Sequence, residues 1–354
     1  MVLYQADVGG VCFVCHWNDA THNLVTVTTS PGSEFTIYMY VYRAFCSYPS
    51  TPSTPSLLAM TIWDLCAPVL DRWVRAFSVY MPDETNWATS IGGSWFITPA
   101  QHGAELIVLT AFYGTLTWIS GQRIFRKGNP LSNLLTTFHP PRPISTTERV
   151  LVVTLTASLL VTIVHKIIRG TAIYLLQPCH MSAVVLIAIM AWPTKTSPIP
   201  HLLLNVYFHT AWCGLSALAF PDLRDHHLFG ETFNFFFEHI MLFVVPLYMI
   251  YSSRYVVLPP SLDLALFSWS LYAFYHSPFL ILIALRTGEN LDYQLAPPPV
   301  KFLKNMGPWY RLFVYGLGFF LMIFTRYVLF GLAIRLLPRW RGKENRSGAE
   351  KKIQ

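Results

Sequence analysis

Two sites in the sequence combine residue types suited to nucleophilic chemistry. Cys179 stands in Gln177-Pro178-Cys179-His180, in the first half of a long apolar run. Proline is compatible with a first helical turn. A cysteine there feels the positive end of the helix dipole, which favours thiolate. A thiol nucleophile also needs a group to take its proton, and histidine is the usual one. His180 is about 100° away on the same helix and faces elsewhere, so a partner from another segment is required. His239, in Phe235-Phe236-Phe237-Glu238-His239, is such a group. The competing set is Asn205, His209 and Cys213, spaced four apart on one helical face. Each side chain also has a bland reading. A lone buried cysteine is usually a small hydrophobe, and polar groups in membrane helices commonly hydrogen-bond to a neighbouring helix. Residue chemistry alone leaves both readings open.

The segments that position these groups follow from composition. Of 354 residues, 53% are hydrophobic, 15% aromatic and only 12% charged. A soluble domain carries about 25% charged residues, and disordered chains are charge-rich and aromatic-poor. Six thinly spread cysteines exclude a disulfide-dense scaffold. What remains is an all-α polytopic membrane bundle. A spanning helix needs roughly 20 mostly apolar residues. Seven runs qualify: Ala104–Ser120, Val150–Ile168, Ala172–Trp192, His201–Phe220, Thr232–Tyr251, Leu262–Leu285 and Trp309–Leu337. The runs are continuous rather than alternating, which excludes a barrel. Residues 1–103 form a poorly structured N-terminal region with no basic-then-apolar leader, and Leu57–Leu70 is expected to lie at the interface. Residues 104–337 are the membrane domain, and 338–354 a basic tail. Lys and Arg concentrate in the first loop and the tail, so the N-terminus is expected to be lumenal and the tail cytosolic. The terminal Lys351-Lys352-Ile353-Gln354 resembles a dilysine retrieval signal and points to the endoplasmic reticulum.

Ionisable groups inside the runs are the informative ones. Asn234 and Glu238 share a face with Glu231, so that side of the fifth run should face the bundle interior. Arg326 is an ionic partner to expect for Glu238. Metal signals are weak. Cys12-Phe13-Val14-Cys15-His16 has the CxxCH spacing of haem attachment, but a lumenal disulfide or free thiols is the commoner outcome. His227 and Glu231 give one HxxxE pair, and a closed zinc site needs four ligands. No phosphate-binding glycine loop or GxSxG elbow occurs, and no basic stripe suits nucleic acid. No metal and no cofactor is therefore expected.

Gln177-Pro178-Cys179-His180 resembles the Asn/Gln-Pro-Cys-His pattern of the transmembrane protein 164 family. Glu238-His239 followed by Val245-Pro246-Leu247-Tyr248 is similar to that family's second segment. The resemblance covers roughly residues 104–337. It implies a multi-spanning acyltransferase that moves a fatty acyl chain from a donor phospholipid to a lysophospholipid, both reached from the membrane. Carried over, Cys179 is the nucleophile and His239 the general base, serving the acceptor hydroxyl as well. An oxyanion would need donors. Backbone N–H groups near Pro178, His180, Asn205 or Asn234 could supply them, with Glu238 in support. A lipid hydrolase differs only in acceptor. A seven-span receptor lacks the expected switch motifs, and a transporter lacks visible repeats.

Overall fold

The computed structural model describes residues 4–8, 11–16, 24–29, 33–38, 62–83, 94–141, 143–223 and 226–337. The chain divides into two compact units, Met1–Leu70 and Asp71–Gln354. In the first, β1 (Tyr4–Val8), β2 (Val11–His16), β3 (Leu24–Thr29) and β4 (Ser33–Tyr38) pair antiparallel in sequence order. The CxxCH run lies on β2; its side chains, and the lysines of the tail, lie outside the described residues. Helix α1 (Ile62–Phe77) covers much of the expected interfacial segment. Ile62, Leu65, Val69 and Trp73 form an exposed apolar stripe along it.

The second unit is helical. Its helices are α2 (Pro99–Ile124), α3 (Pro130–Thr137), α4 (Thr146–Ile168), α5 (Pro178–Ala191), α6 (Pro198–Thr210), α7 (Trp212–Ala219), α8 (Glu231–Ser252), α9 (Leu262–Phe274), α10 (Ile281–Thr287), α11 (Lys301–Asn305) and α12 (Tyr310–Ile323). Side-chain caps set several starts. Ser145 accepts from the Glu148 N–H at 3.0 Å, Thr98 from Gln101 at 3.2 Å, and Asn129 from Leu131 at 2.8 Å. Each satisfies an orphan first-turn donor. A π-helical turn, Tyr275–Leu280, joins α9 to α10 around Pro278, whose missing N–H breaks the regular ladder. A second, Phe324–Leu329, follows α12 and carries Arg326.

Among the described residues, six helical stretches are long and apolar enough to cross a membrane: Pro99–Ile124, Thr146–Ile168, Pro198–Ala219, Glu231–Ser252, Leu262–Thr287 and Gly307–Leu337. The third apolar run behaves differently. It is a 3₁₀ turn, Ala172–Leu176, a break at Gln177-Pro178, and then α5. Gln177 is extended (φ −62°, ψ 146°), as a residue before proline prefers. Helix α5 has 14 residues, about 21 Å against a hydrocarbon core of about 30 Å.

The helices are inside-out relative to those of a soluble protein. On α4, Val153, Leu160, Val164 and Ile167 are exposed, while Glu148, Ser158 and Thr162 are buried. On α8, Phe233, Ile240, Val244 and Leu247 face out, and Asn234, Glu238 and His239 face in. An apolar exterior around polar contacts suits lipid as the surrounding solvent. The main core, with Leu155, Leu186, Leu204, Phe208, Leu242 and Val245, lies among α4, α5, α6 and α8. Small residues bring α2 against α9. A Cβ on Gly114 would lie 3.1 Å from the Phe274 ring, and one on Gly121 3.3 Å from Phe267. Gly114→Leu should therefore destabilise the bundle by about 1–3 kcal/mol through overpacking. Gly316→Leu, where a Cβ meets nothing within 4 Å, should leave the melting temperature in detergent nearly unchanged.

Candidate functional site

The break at Gln177-Pro178 places Cys179 in the first turn of α5. Met181 N–H bonds the Gln177 carbonyl at 3.1 Å, and no side chain caps the helix. Proline brings no N–H. The N–H groups of Cys179 and His180 are thus first-turn donors without a helical acceptor, on the turn that carries the Cys179 thiol. The thiol is partly buried against the main core. Donors placed this way stabilise a thiolate, or the oxyanion of a carbonyl under attack.

A polar seam ties this helix start to α4 and α8. His180 Nδ1–H donates to Glu238 Oε1 at 2.8 Å, and the Thr162 hydroxyl donates to Glu238 Oε2 at 2.5 Å. Asn234 Nδ2 donates to Thr162 Oγ1 at 2.8 Å and to the Ser158 carbonyl at 3.1 Å. The Ser158 hydroxyl donates back to Asn234 Oδ1 at 2.9 Å. The interior stripe expected on α8 is therefore real. Beside it, His239 Nδ1–H donates to the Phe235 carbonyl at 2.7 Å. That bond fixes the tautomer and leaves Nε2 as the lone-pair nitrogen. Nε2 is buried with no hydrogen-bond partner, which is how a neutral base waits for a proton. No hydrogen bond joins Cys179 to His239 among the described residues. Their link runs through His180 and Glu238, both electrostatic neighbours of His239.

The remaining sequence-derived residues are deployed elsewhere. Asn205 holds a loop: Nδ2 donates to the His201 and Val256 carbonyls, both at 2.8 Å, and Oδ1 accepts from Leu258 N–H at 2.9 Å. This places it in loop packing rather than beside the thiol. His209 Nδ1 bonds the Asn205 carbonyl at 2.9 Å and meets the Ser268 hydroxyl at 3.2 Å. Cys213 pairs with the Tyr272 hydroxyl at 3.1 Å, not with His209. The boundary between α6 and α7, at Ala211, lies between them. Arg326 is not the partner of Glu238. It donates to the Leu258 carbonyl at 2.6 Å and stacks over Phe208 and Tyr327. The Glu231 carboxylate accepts from Arg169 at 3.1 Å and from the His227 and Leu228 N–H groups, so the His227–Glu231 spacing is a local turn. Among the described residues no three His, Cys, Asp or Glu side chains gather as a metal site.

Three features were not legible. Ser158 and Thr162 look like ordinary tolerated polar residues in an apolar run. Buried Arg311 meets Glu105 and the Gln294 carbonyl, with His102 Nδ1 at 3.2 Å. Asp292 lies in a loop between runs, yet its Oδ2 is 2.5 Å from His276 Nε2.

Lipid-facing apolar helices around a partly buried thiol, two histidines and a carboxylate define a polytopic membrane protein with its polar chemistry inside the bundle. The TMEM164 family model matches residues 96–329; the chain belongs to that family. It is 25% identical over 232 residues to the transmembrane protein 164 homolog of Dictyostelium discoideum, covering 65% of this chain and 82% of that one. No solved structure matches it.

Glu238 accepts from two buried donors on two helices. Glu238→Ala should leave both unsatisfied and cost about 1–3 kcal/mol for each. Glu238→Gln, which keeps an acceptor, should cost less, as read by thermal unfolding in detergent.

Proposed function

We propose that this protein is a membrane acyltransferase that moves a fatty acyl chain from a donor phospholipid to a lysophospholipid, with Cys179 as nucleophile and His239 as general base. The observation that carries this reading is the uncapped start of α5 inside the apolar bundle, with Cys179 in its first turn. Family membership agrees with it. In this reading a diacyl lipid enters laterally from the bilayer that surrounds the apolar helices. His239 Nε2 takes the thiol proton, through a side-chain rotation or one bridging water. The sulfur attacks the ester carbonyl, the C–O bond breaks, and a thioester is left on Cys179. The Cys179 and His180 N–H groups stabilise the oxyanion. A lysophospholipid hydroxyl then attacks the thioester and restores the thiol. The Glu238–His180–Thr162 seam holds α5 and α8 in register, a positioning role.

The excess of Lys and Arg in the first loop and tail supports a lumenal N-terminus and a cytosolic C-terminus, with residence in an endomembrane where phospholipids are remodelled.

A clickable diacyl phospholipid tests the reading. Purified protein should acquire hydroxylamine-sensitive label at Cys179. Cys179→Ala should lose it, Cys213→Ala should retain it, and His239→Asn should slow labelling by about 10²–10⁴-fold, the range for a positioned base. Label that survives Cys179→Ala and vanishes in Cys213→Ala would move the nucleophile to α7. Release of free fatty acid with added lysophospholipid left unacylated would make the protein a hydrolase.

A further inference from the structure

The π-turn between α9 and α10 carries a second proton-holding group on another side of the thiol. His276 Nδ1–H donates to the Tyr272 carbonyl at 2.8 Å. Its Nε2 lies 2.5 Å from Asp292 Oδ2. A carbonyl and a carboxyl flank the ring, and both are acceptors when Asp292 is ionised. A hydrogen bond between them therefore needs a proton on Nε2 or on Oδ2. His276 is buried, whereas the Asp292 side chain is about 30% exposed, so Asp292 is the accessible end.

The π-turn that carries His276 also packs against the chain leading into α5. Tyr275 donates to the Leu176 carbonyl at 2.6 Å, which pins the π-turn to the chain just before Cys179. The Tyr272 ring packs 4.1 Å from His276, and its hydroxyl meets Cys213.

The backbone that presents Asp292 is strained. Asp292 (φ 44°) and Tyr293 (φ 59°) are consecutive non-glycine residues in the left-handed region, a conformation that costs free energy and persists where surroundings over-determine it. Here they do. Asn290 Oδ1 accepts from Leu295 and Ala296, Tyr310 donates to the Tyr293 carbonyl at 3.0 Å, and Arg311 holds the Gln294 carbonyl. Strain and π-turns both concentrate at working sites.

We infer that Asp292, held by His276, is the acid and base for the lipid oxygen, separate from His239, which serves the thiol. This rests on the acyl-thioester reading. As the donor ester C–O bond breaks, the departing lysophospholipid oxygen takes the proton from the Asp292–His276 pair, leaving carboxylate and neutral imidazole. In the second half the acceptor hydroxyl returns a proton to that pair as its oxygen attacks the thioester carbon. The C–S bond breaks, and the sulfur takes back the proton that His239 held. Protons balance over the cycle. Asp292 touches the reacting oxygen, and His276 is a positioning residue.

Leaving-group dependence tests this on the full-length protein in nanodiscs. A phospholipid must lose an alkoxide, which needs a proton; a p-nitrophenyl acyl ester loses a stable phenolate, which does not. Asp292→Asn should slow acylation of Cys179 from phospholipid by about 100-fold or more, yet slow it from the nitrophenyl ester by less than about threefold. His276→Gln should show the same split, and carries the comparison if Asp292→Asn does not fold. Equal slowing on both donors, or no slowing on phospholipid, overturns the acid assignment. If the unaltered protein gains no hydroxylamine-sensitive acyl group at Cys179 from either donor, the nucleophile reading itself falls. If Cys179 is labelled and the split is absent, only the role of Asp292 falls.

Discussion

The interruption at Gln177-Pro178 is the constraint on which the site depends. Proline supplies no N–H and drives the residue before it into an extended conformation. The helix must therefore start inside the bundle, with two first-turn donors that no side chain caps. In a surrounding of low dielectric, unpaired backbone donors are costly. The sulfur of Cys179 is the acceptor at hand. A helix start that would be a defect in an ordinary span thus leaves two backbone donors beside the Cys179 thiol. The cost is a short helix, and its far end is secured separately: Lys195 donates to the Ile189, Met190 and Trp192 carbonyls at 2.8–2.9 Å.

Such a helix cannot hold its position by length, so side-chain bonds fix it. Lipid tails are as apolar as leucine and give no drive for helix association. The bundle instead uses buried polar seams. Glu238 joins α4, α5 and α8 through Thr162 and His180. Glu148 joins α4 to the stretch after α8, with the Arg254 guanidinium at 3.0 Å and the Tyr255 hydroxyl at 2.6 Å. Arg311 joins α2, α12 and the Asp292 loop. Each seam costs desolvation and favours one register of the helices it joins.

How much of this the sequence reveals depends on the range of the signal. Apolar runs are local, and they located the spanning helices to within a few residues. The polar stripe Glu231–Asn234–Glu238 is also local, a matter of helical period, and its inward face could be read directly. Four-residue spacing misled at His209 and Cys213, whose side chains meet Ser268 and Tyr272 on α9 instead of each other. Pairing across the bundle was not legible. Arg326 looked like the natural counter-charge for Glu238, but the π-turn aims it at the Leu258 carbonyl and two aromatic rings. Asp292 was invisible for a related reason. A loop carboxylate between two apolar runs reads as solvated, and only the positive-φ turn folds it back against His276.

That return of the loop gives the buried Arg311 cluster a reason beyond packing. Arg311 is almost wholly buried with Glu105 on one side, yet part of its guanidinium goes to the Gln294 backbone rather than to a second carboxylate. Tyr310 adds the Tyr293 and Gln294 carbonyls. Together they clamp the chain just after the two strained residues, where relaxation would begin. Without the clamp, Asp292 and Tyr293 would relax toward negative φ, and the carboxylate would swing into solvent. A desolvated charge pair is an expensive anchor, and an ordinary surface loop does not need one. The expense is understandable if the position of the Asp292 carboxyl matters to within an ångström, as it must for a group that hands a proton to an oxygen beside Cys179. On the proposed transfer chemistry, one proton station would serve the thiol and another the lipid oxygen, so neither half-reaction would need bulk water to carry a proton.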